Sequence, residues 1–161
     1  MPVTPITNKS LFQLFAERVK AASEKAQRDL PLCIMTSAFN HEETVRFFQE
    51  YQYFGLPPSA VFFFQQQQLP FIDSQGNWLL KAPGQLAEGP DGNGHALHLF
   101  WNSGVGQQWK ERGVEYLNVI FVDNALADPF DPAFIGFTIH SQLDAALKAV
   151  HRNDPEEAVG V

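Results

Sequence analysis

Glu88–His95, EGPDGNGH, is a glycine-rich stretch with three glycines in eight residues. Glycine reaches positive φ and lets a backbone approach a ligand closely, while Asp91 and Asn93 tolerate tight turns. An apolar stripe at helical spacing begins at Leu97, which predicts a helix that starts near His95. A glycine loop that opens a helix is typical of anion-binding sites, although a plain surface loop has the same composition.

Upstream of this loop, two short apolar runs predict buried parallel strands. They are 32–35, which follows a predicted helix over 10–28, and 61–64, which follows a predicted helix over 41–51. Residues 71–72 and 78–80 flank a turn and predict a small hairpin. The β-rich run 116–122 predicts the strongest strand of the chain. This alternation indicates an α/β fold with a mostly parallel sheet.

In a parallel sheet, ligands bind beyond the carboxyl ends of the strands. The pattern predicts that Ser37, Gln66 and Asp123 lie at such ends, within reach of the glycine-rich loop. A carboxylate at a strand end suits Mg²⁺, which binds one or two carboxylates together with phosphate oxygens and water. Asp123 is therefore the candidate metal ligand, and a turn cap formed with Asn124 is the alternative interpretation.

Composition and charge narrow the range of functions. The 161 residues carry a net charge of −7 and have no long basic run, so nucleic acid is not an expected partner. No apolar run approaches the roughly 18 residues of a membrane span, and no signal peptide is recognisable. The lone Cys33 lies in an apolar run and is expected to be an unreactive core thiol. We therefore expect a single domain in the reducing cytoplasm.

Five motifs, in this order along the chain, carry a family resemblance. They are LCIMTS (Leu32–Ser37), YFGL (Tyr53–Leu56), FFQQQQLP (Phe63–Pro70), PDGNG (Pro90–Gly94), and VDN (Val122–Asn124) with Asp128-Pro129 and FIGF (Phe134–Phe137). With them the chain resembles the eukaryotic-type UTP–sugar-1-phosphate uridylyltransferases, in particular the UDP-N-acetylglucosamine pyrophosphorylases. The resemblance runs from Leu11 to Val161.

The resemblance implies a fold and an activity. The fold is a Rossmann-like, GT-A-like sheet of the nucleotide-diphospho-sugar transferases, with flanking helices and incomplete here. Residues 1–161 would form part of the catalytic domain. The implied reaction, with Mg²⁺, joins UTP to N-acetylglucosamine 1-phosphate or glucose 1-phosphate and releases pyrophosphate. The resemblance also implies a helix over 134–139, against local β propensity, and a strand over 143–150, against local helix propensity.

The resemblance also implies site residues. Gln66 would read the uracil edge, because an amide offers both an acceptor and donors. Gly92 would lie against the base or ribose, Asn93 would contact the sugar-phosphate side, and Thr36 and Ser37 would line the pocket. His95 stands where the family usually has a small residue.

Two parts of the family pattern are not found in these residues. The family's glycine-rich Gly-Gly-x-Gly-Thr-Arg-like loop would precede Met1, and its second lysine would follow Val161, so the catalytic residues are unassigned. We expect the chain alone to be inactive. A remnant that binds uridine nucleotides without turnover, and a structural fragment, are the alternatives.

Overall fold

The structure is a computed structural model, which describes residues 7–152 and 154. The chain packs as two compact units, Met1–Pro129 and Phe130–Val161. The first unit holds α1 (Leu11–Ala26), α2 (His41–Glu50), α3 (Ala96–Asn102), α4 (Val105–Glu111) and six short strands, and the second holds α5 (Pro132–His140). No helix in the described residues is long and apolar enough to cross a membrane.

A parallel pair of strands forms the centre of the first unit. β1 (Leu32–Thr36) pairs with β2 (Val61–Gln65), with Leu32 opposite Val61 and Thr36 opposite Gln65. Both predicted strands are confirmed, each one residue longer than expected. The predicted helices that precede them are also confirmed, with α1 beginning where Ser10 Oγ accepts the Gln13 N–H at 3.1 Å.

Successive side chains of a strand point to opposite faces of its sheet, and β2 is apolar on both. Phe63 packs edge-on to Phe48 of α2, with 5.4 Å between ring centroids. On the other face Phe62 meets Trp109 of α4, and Phe64 meets Phe100 of α3. Helices therefore cover both faces of the pair, which confirms the α/β class with flanking helices.

Two antiparallel pairs follow β2. They are β3 (Gln68–Pro70) with β6 (Glu88–Pro90), and β4 (Leu80–Ala82) with β5 (Gln85–Leu86). Ile72 and Trp78 form an isolated antiparallel bridge, so the predicted turn at 73–77 is confirmed. Short 3₁₀ turns at Gln52–Gly55 and Pro58–Ala60 link α2 to β2.

The prediction of a strand over 116–122 is wrong. In the described residues this segment pairs with no strand, and Tyr116, Val119 and Phe121 are 49%, 59% and 57% exposed. Residues with high β propensity form a strand only where the backbone of a neighbouring strand offers hydrogen-bond partners. Here β1 pairs with β2 alone. The Asn118 side chain instead donates to the Pro129 carbonyl at 2.7 Å.

The second unit settles two conflicts between the family pattern and local propensity. α5 forms at Pro132–His140, as the resemblance implied, and Asp131 caps it by accepting the Ala133 and Phe134 N–H groups. The strand implied over 143–150 is wrong, because no ladder forms there in the described structure. Lys148 instead pairs with Asp131 and lies over the Phe134 ring, and this pairing lowers the pKa of the Asp131 carboxyl.

Candidate functional site

The carboxyl ends of β1 and β2 form the base of the candidate site. The Gln66 N–H donates to the Thr36 carbonyl at 2.7 Å, which extends the parallel pairing one residue past the end of β2. Gln66 is half-buried, and the buried Thr36 and Ser37 lie at the end of the neighbouring strand. The predicted strand-end positions of Ser37 and Gln66 are therefore confirmed.

The glycine-rich loop is tied to this edge by two hydrogen bonds. The Gly92 N–H donates to Gln66 Oε1 at 2.9 Å, and the Asp91 N–H donates to the Gln67 carbonyl at 2.9 Å. The Asp91 bond continues the backbone ladder that β6 makes with β3, and the Gly92 bond adds a side-chain acceptor beyond it. The structure thus brings together Gln66 and Gly92, which are 26 residues apart in the sequence.

The glycines of this loop serve different purposes. A side chain at Gly89 would place its Cβ 2.3 Å from Cζ of Phe71, so this residue lets the loop pass beneath an aromatic ring. Gly92 has φ +83°, a value that L-residues rarely adopt. A Cβ at Gly92 or Gly94 would meet nothing within 4 Å. The loop therefore presents open backbone beside the Gln66 amide, as a flat ligand requires.

Asn93 lies on the exposed side of the loop. Its carbonyl accepts the Ala96 N–H at 3.1 Å and so forms the turn into α3. Its side-chain amide makes no hydrogen bond with any residue that the structure describes. Asn93 is thus next to Gly92 and unengaged, and its contact with the sugar-phosphate side stays a prediction.

The hydroxyl groups of Thr36 and Ser37 are already used within the protein. Thr36 Oγ1 donates to the Phe64 carbonyl at 3.1 Å and lies 2.8 Å from His41 Nδ1. Ser37 donates from both its backbone N–H and its Oγ to Asn40 Oδ1, at 2.8 and 3.0 Å. These side chains therefore shape the wall of the site through internal bonds, and their contact with a ligand stays a prediction.

Asp123 does not lie at the end of a strand, because the strand predicted before it does not form. It is exposed, in a turn where its carbonyl accepts the Ala125 N–H at 3.0 Å. The Asp123 carboxylate makes no hydrogen bond or ion pair within the described ranges, 7–152 and 154. The same residues hold no cluster of three or more metal-ligating side chains. A single free carboxylate still fits Mg²⁺, which takes most of its ligands from phosphate and water.

One polar pair of the loop was not predicted from the sequence. Asp91 Oδ2 lies 2.6 Å from His95 Nδ1, and the Asp91 side chain is 6% exposed whereas that of His95 is 63% exposed. The i, i+4 spacing of an acid and a histidine at the start of a helix was the available signal.

A family model described as UTP–glucose-1-phosphate uridylyltransferase matches residues 2–161, which is nearly the whole chain. The chain belongs to the UTP–glucose-1-phosphate uridylyltransferase family.

Relatives in this uridylyltransferase family bear names that specify N-acetylglucosamine. The UDP-N-acetylglucosamine diphosphorylase 2 of Arabidopsis thaliana is 38% identical over 166 residues, and the UDP-N-acetylglucosamine pyrophosphorylase of Saccharomyces cerevisiae is 36% identical over 159. Each alignment covers 96% of this chain and 33% of the relative. The chain thus spans about one third of the length of these relatives.

Solved structures from the uridylyltransferase family support the fold. The uridine diphosphate N-acetylglucosamine pyrophosphorylase of Trypanosoma brucei, crystallised with an inhibitor, superposes with a TM-score of 0.77 at 31% identity. The match covers 85% of this chain and 30% of that one. Nucleotidyltransferases of this family generally use a divalent metal ion.

The bond between Gln66 and the loop predicts the behaviour of the Gly92 amide. A hydrogen bond of this kind is worth about 1 kcal/mol net, so Gln66→Ala should speed hydrogen exchange of the Gly92 N–H about fivefold. The Asp91 N–H, which is bonded to a backbone carbonyl, should change little. NMR exchange rates test this, with Gln67→Ala as the matched control. Equal Gly92 rates in the wild type and Gln66→Ala would show that this bond does not hold the loop.

Proposed function

We propose that this chain carries the uridine-binding part of a uridylyltransferase that joins UTP to N-acetylglucosamine 1-phosphate and releases pyrophosphate. The observation that carries the proposal is the bond from the Gly92 N–H to Gln66 Oε1. It joins the two motifs from which the sequence predicted uracil recognition. The family match and the names of the relatives support the reaction class.

The Gly92 bond gives Gln66 a fixed orientation. Because Oε1 accepts the Gly92 N–H, the amide keeps its carbonyl toward the loop and its NH₂ group on the other side. Uracil offers a ring N–H, which suits the second lone pair of Oε1, and a carbonyl, which suits the NH₂ group. At positions 3 and 4, cytosine instead has a ring acceptor and an amino donor, so both groups are reversed there. Pairing with cytosine would require the amide to flip, at the expense of the Gly92 bond.

Catalysis in this proposal follows from positioning and charge neutralisation. The sugar phosphate oxygen attacks the α-phosphorus of UTP in line, and pyrophosphate leaves with the electron pair of the broken P–O bond. The residues of this chain hold the uridine. Asp123 would hold Mg²⁺, which would neutralise charge on the triphosphate.

The names of the relatives and of the family specify different acceptor sugars. The names of the relatives favour N-acetylglucosamine 1-phosphate, whereas the family model's description names glucose 1-phosphate. Asn93 is the candidate contact on the sugar side, since its exposed amide lies next to Gly92. We propose N-acetylglucosamine 1-phosphate as the acceptor, and glucose 1-phosphate is the comparison substrate for a whole enzyme.

Uracil selectivity is the first test. The chain should bind UDP at least tenfold more tightly than CDP, which is about 1.4 kcal/mol, because cytosine would require the amide of Gln66 to flip. Gln66→Ala should remove this preference, and Gln67→Ala should keep it. Isothermal titration calorimetry of the three proteins with both nucleotides measures the ratio. Equal affinity of the wild type for UDP and CDP would refute the assigned role of Gln66.

The metal role of Asp123 is the second test. Mg²⁺ should strengthen UTP binding by the wild type, and Asp123→Asn should lose at least nine-tenths of that gain, because a neutral amide is a poor Mg²⁺ ligand. Its thermal midpoint should be unchanged, since the carboxylate makes no internal bond in the described residues. Asp29→Asn, at another exposed position, is the matched control. A full Mg²⁺ response in Asp123→Asn would remove the assignment.

A further inference from the structure

The pair of Asp91 and His95 has no role in the function described so far. Its carboxylate is almost fully buried, with 6% of the side chain exposed, while the imidazole is 63% exposed. A buried carboxylate is costly unless a donor compensates it, and His95 Nδ1 at 2.6 Å is that donor. The bond fixes the orientation of the imidazole on the loop.

With Nδ1 engaged, Nε2 is the nitrogen of His95 that remains for a ligand. It makes no hydrogen bond with any residue in the described part of the chain. The neighbouring His98 differs, because its Nε2 lies 2.8 Å from the Asn102 side-chain nitrogen. The His98 ring is 6.4 Å from that of His95, measured between centroids. The His95 imidazole is therefore held through Nδ1, and its Nε2 is available to a ligand.

His95 lies next to the loop residues at which we propose that the nucleotide binds. It follows Gly92 by three residues, and the backbone between them is open at Gly92 and Gly94. Between Lys81 and Lys110 the sequence contains no lysine or arginine, so His95 and His98 are the basic side chains that this stretch can offer. A nucleotide whose base lies at Gly92 extends its phosphates away from the base, and an imidazolium is a strong donor to phosphate oxygen.

We propose that His95 is a specificity-determining residue that donates from Nε2 to a phosphate oxygen of the bound uridine nucleotide, and that Asp91 is its positioning residue. The proposal rests on the proposed uridine site. The ring would then lie between two anions, the buried Asp91 carboxylate at Nδ1 and the phosphate at Nε2. The titratable groups that face it in the described structure are Asp91 and His98.

The experiment compares uridine with UDP, because the two differ only in phosphate. Calorimetric titration of the full chain should show that His95→Ala weakens UDP binding at least tenfold and leaves uridine binding unchanged. Asp91→Asn should weaken UDP binding severalfold, because the imidazole loses its charged partner. His95→Gln keeps a neutral donor and should recover part of the loss. His98→Ala is the matched control and should bind both ligands as the wild type does.

The outcomes separate this inference from the proposed function. If His95→Ala weakens uridine and UDP equally, His95 only supports the loop and the inference is overturned. If His95→Ala leaves UDP affinity unchanged, the phosphate contact does not exist. If the wild type binds neither uridine nor UDP, the uridine site itself is wrong and the inference falls with it. Because His95 is mostly exposed, its substitution should not unfold the chain, and circular dichroism verifies this.

Discussion

The parallel pairing of β1 with β2 is the constraint on which the rest of the first unit depends. It places Thr36 and Gln65 side by side and lets the Gln66 N–H bond to the Thr36 carbonyl. The alternating phenylalanines of β2 hold helices on both faces. Phe63 faces α2, while Phe62 faces α4 and Phe64 faces α3. Because aromatic contacts on both faces fix the strand, the residue that follows it has a defined position.

Gln66 holds the glycine-rich loop against this fixed strand. Its backbone belongs to the strand edge, and its side chain accepts the Gly92 N–H, so one residue connects the sheet to the glycine-rich segment. The loop needs this support, because Gly92 and Gly94 contribute no side chains that could pack against the rest of the protein. The loop needs a residue that can adopt a φ of +83° at position 92, and it also needs the Gln66 amide to stay in one place. The first three residues of the glycine-rich stretch, Glu88–Pro90, form β6 and are held by its ladder with β3, so Gly92 and Gly94 follow a fixed backbone.

Sequence patterns predicted the elements that are stabilised by local signals. Ser10 caps α1, the apolar runs form β1 and β2, and α3 begins just after His95. The sequence-based predictions were wrong where an element needs a pairing partner that is distant in the sequence. The run 116–122 has the composition of a strand, but no ladder partner lies beside it in the described structure, and the strand-end position of Asp123 failed with it. For the site, the family motifs pointed to Gln66 and Gly92, which the structure brings together, whereas the buried state of Asp91 follows from tertiary packing and could not be derived from spacing.

The central claim is that uracil pairs with the Gln66 amide and lies against the open backbone at Gly92, while the bond between these two residues stays intact. The most direct measurement is an isotope-filtered nuclear Overhauser experiment on the labelled chain with UDP. The account predicts contacts from uracil H5 and H6 to the Gly92 α-protons and to the Gln66 side-chain amide protons. Contacts from the uracil protons to other surfaces alone, such as the groove lined by Lys20, Arg28 and Leu56, would contradict it.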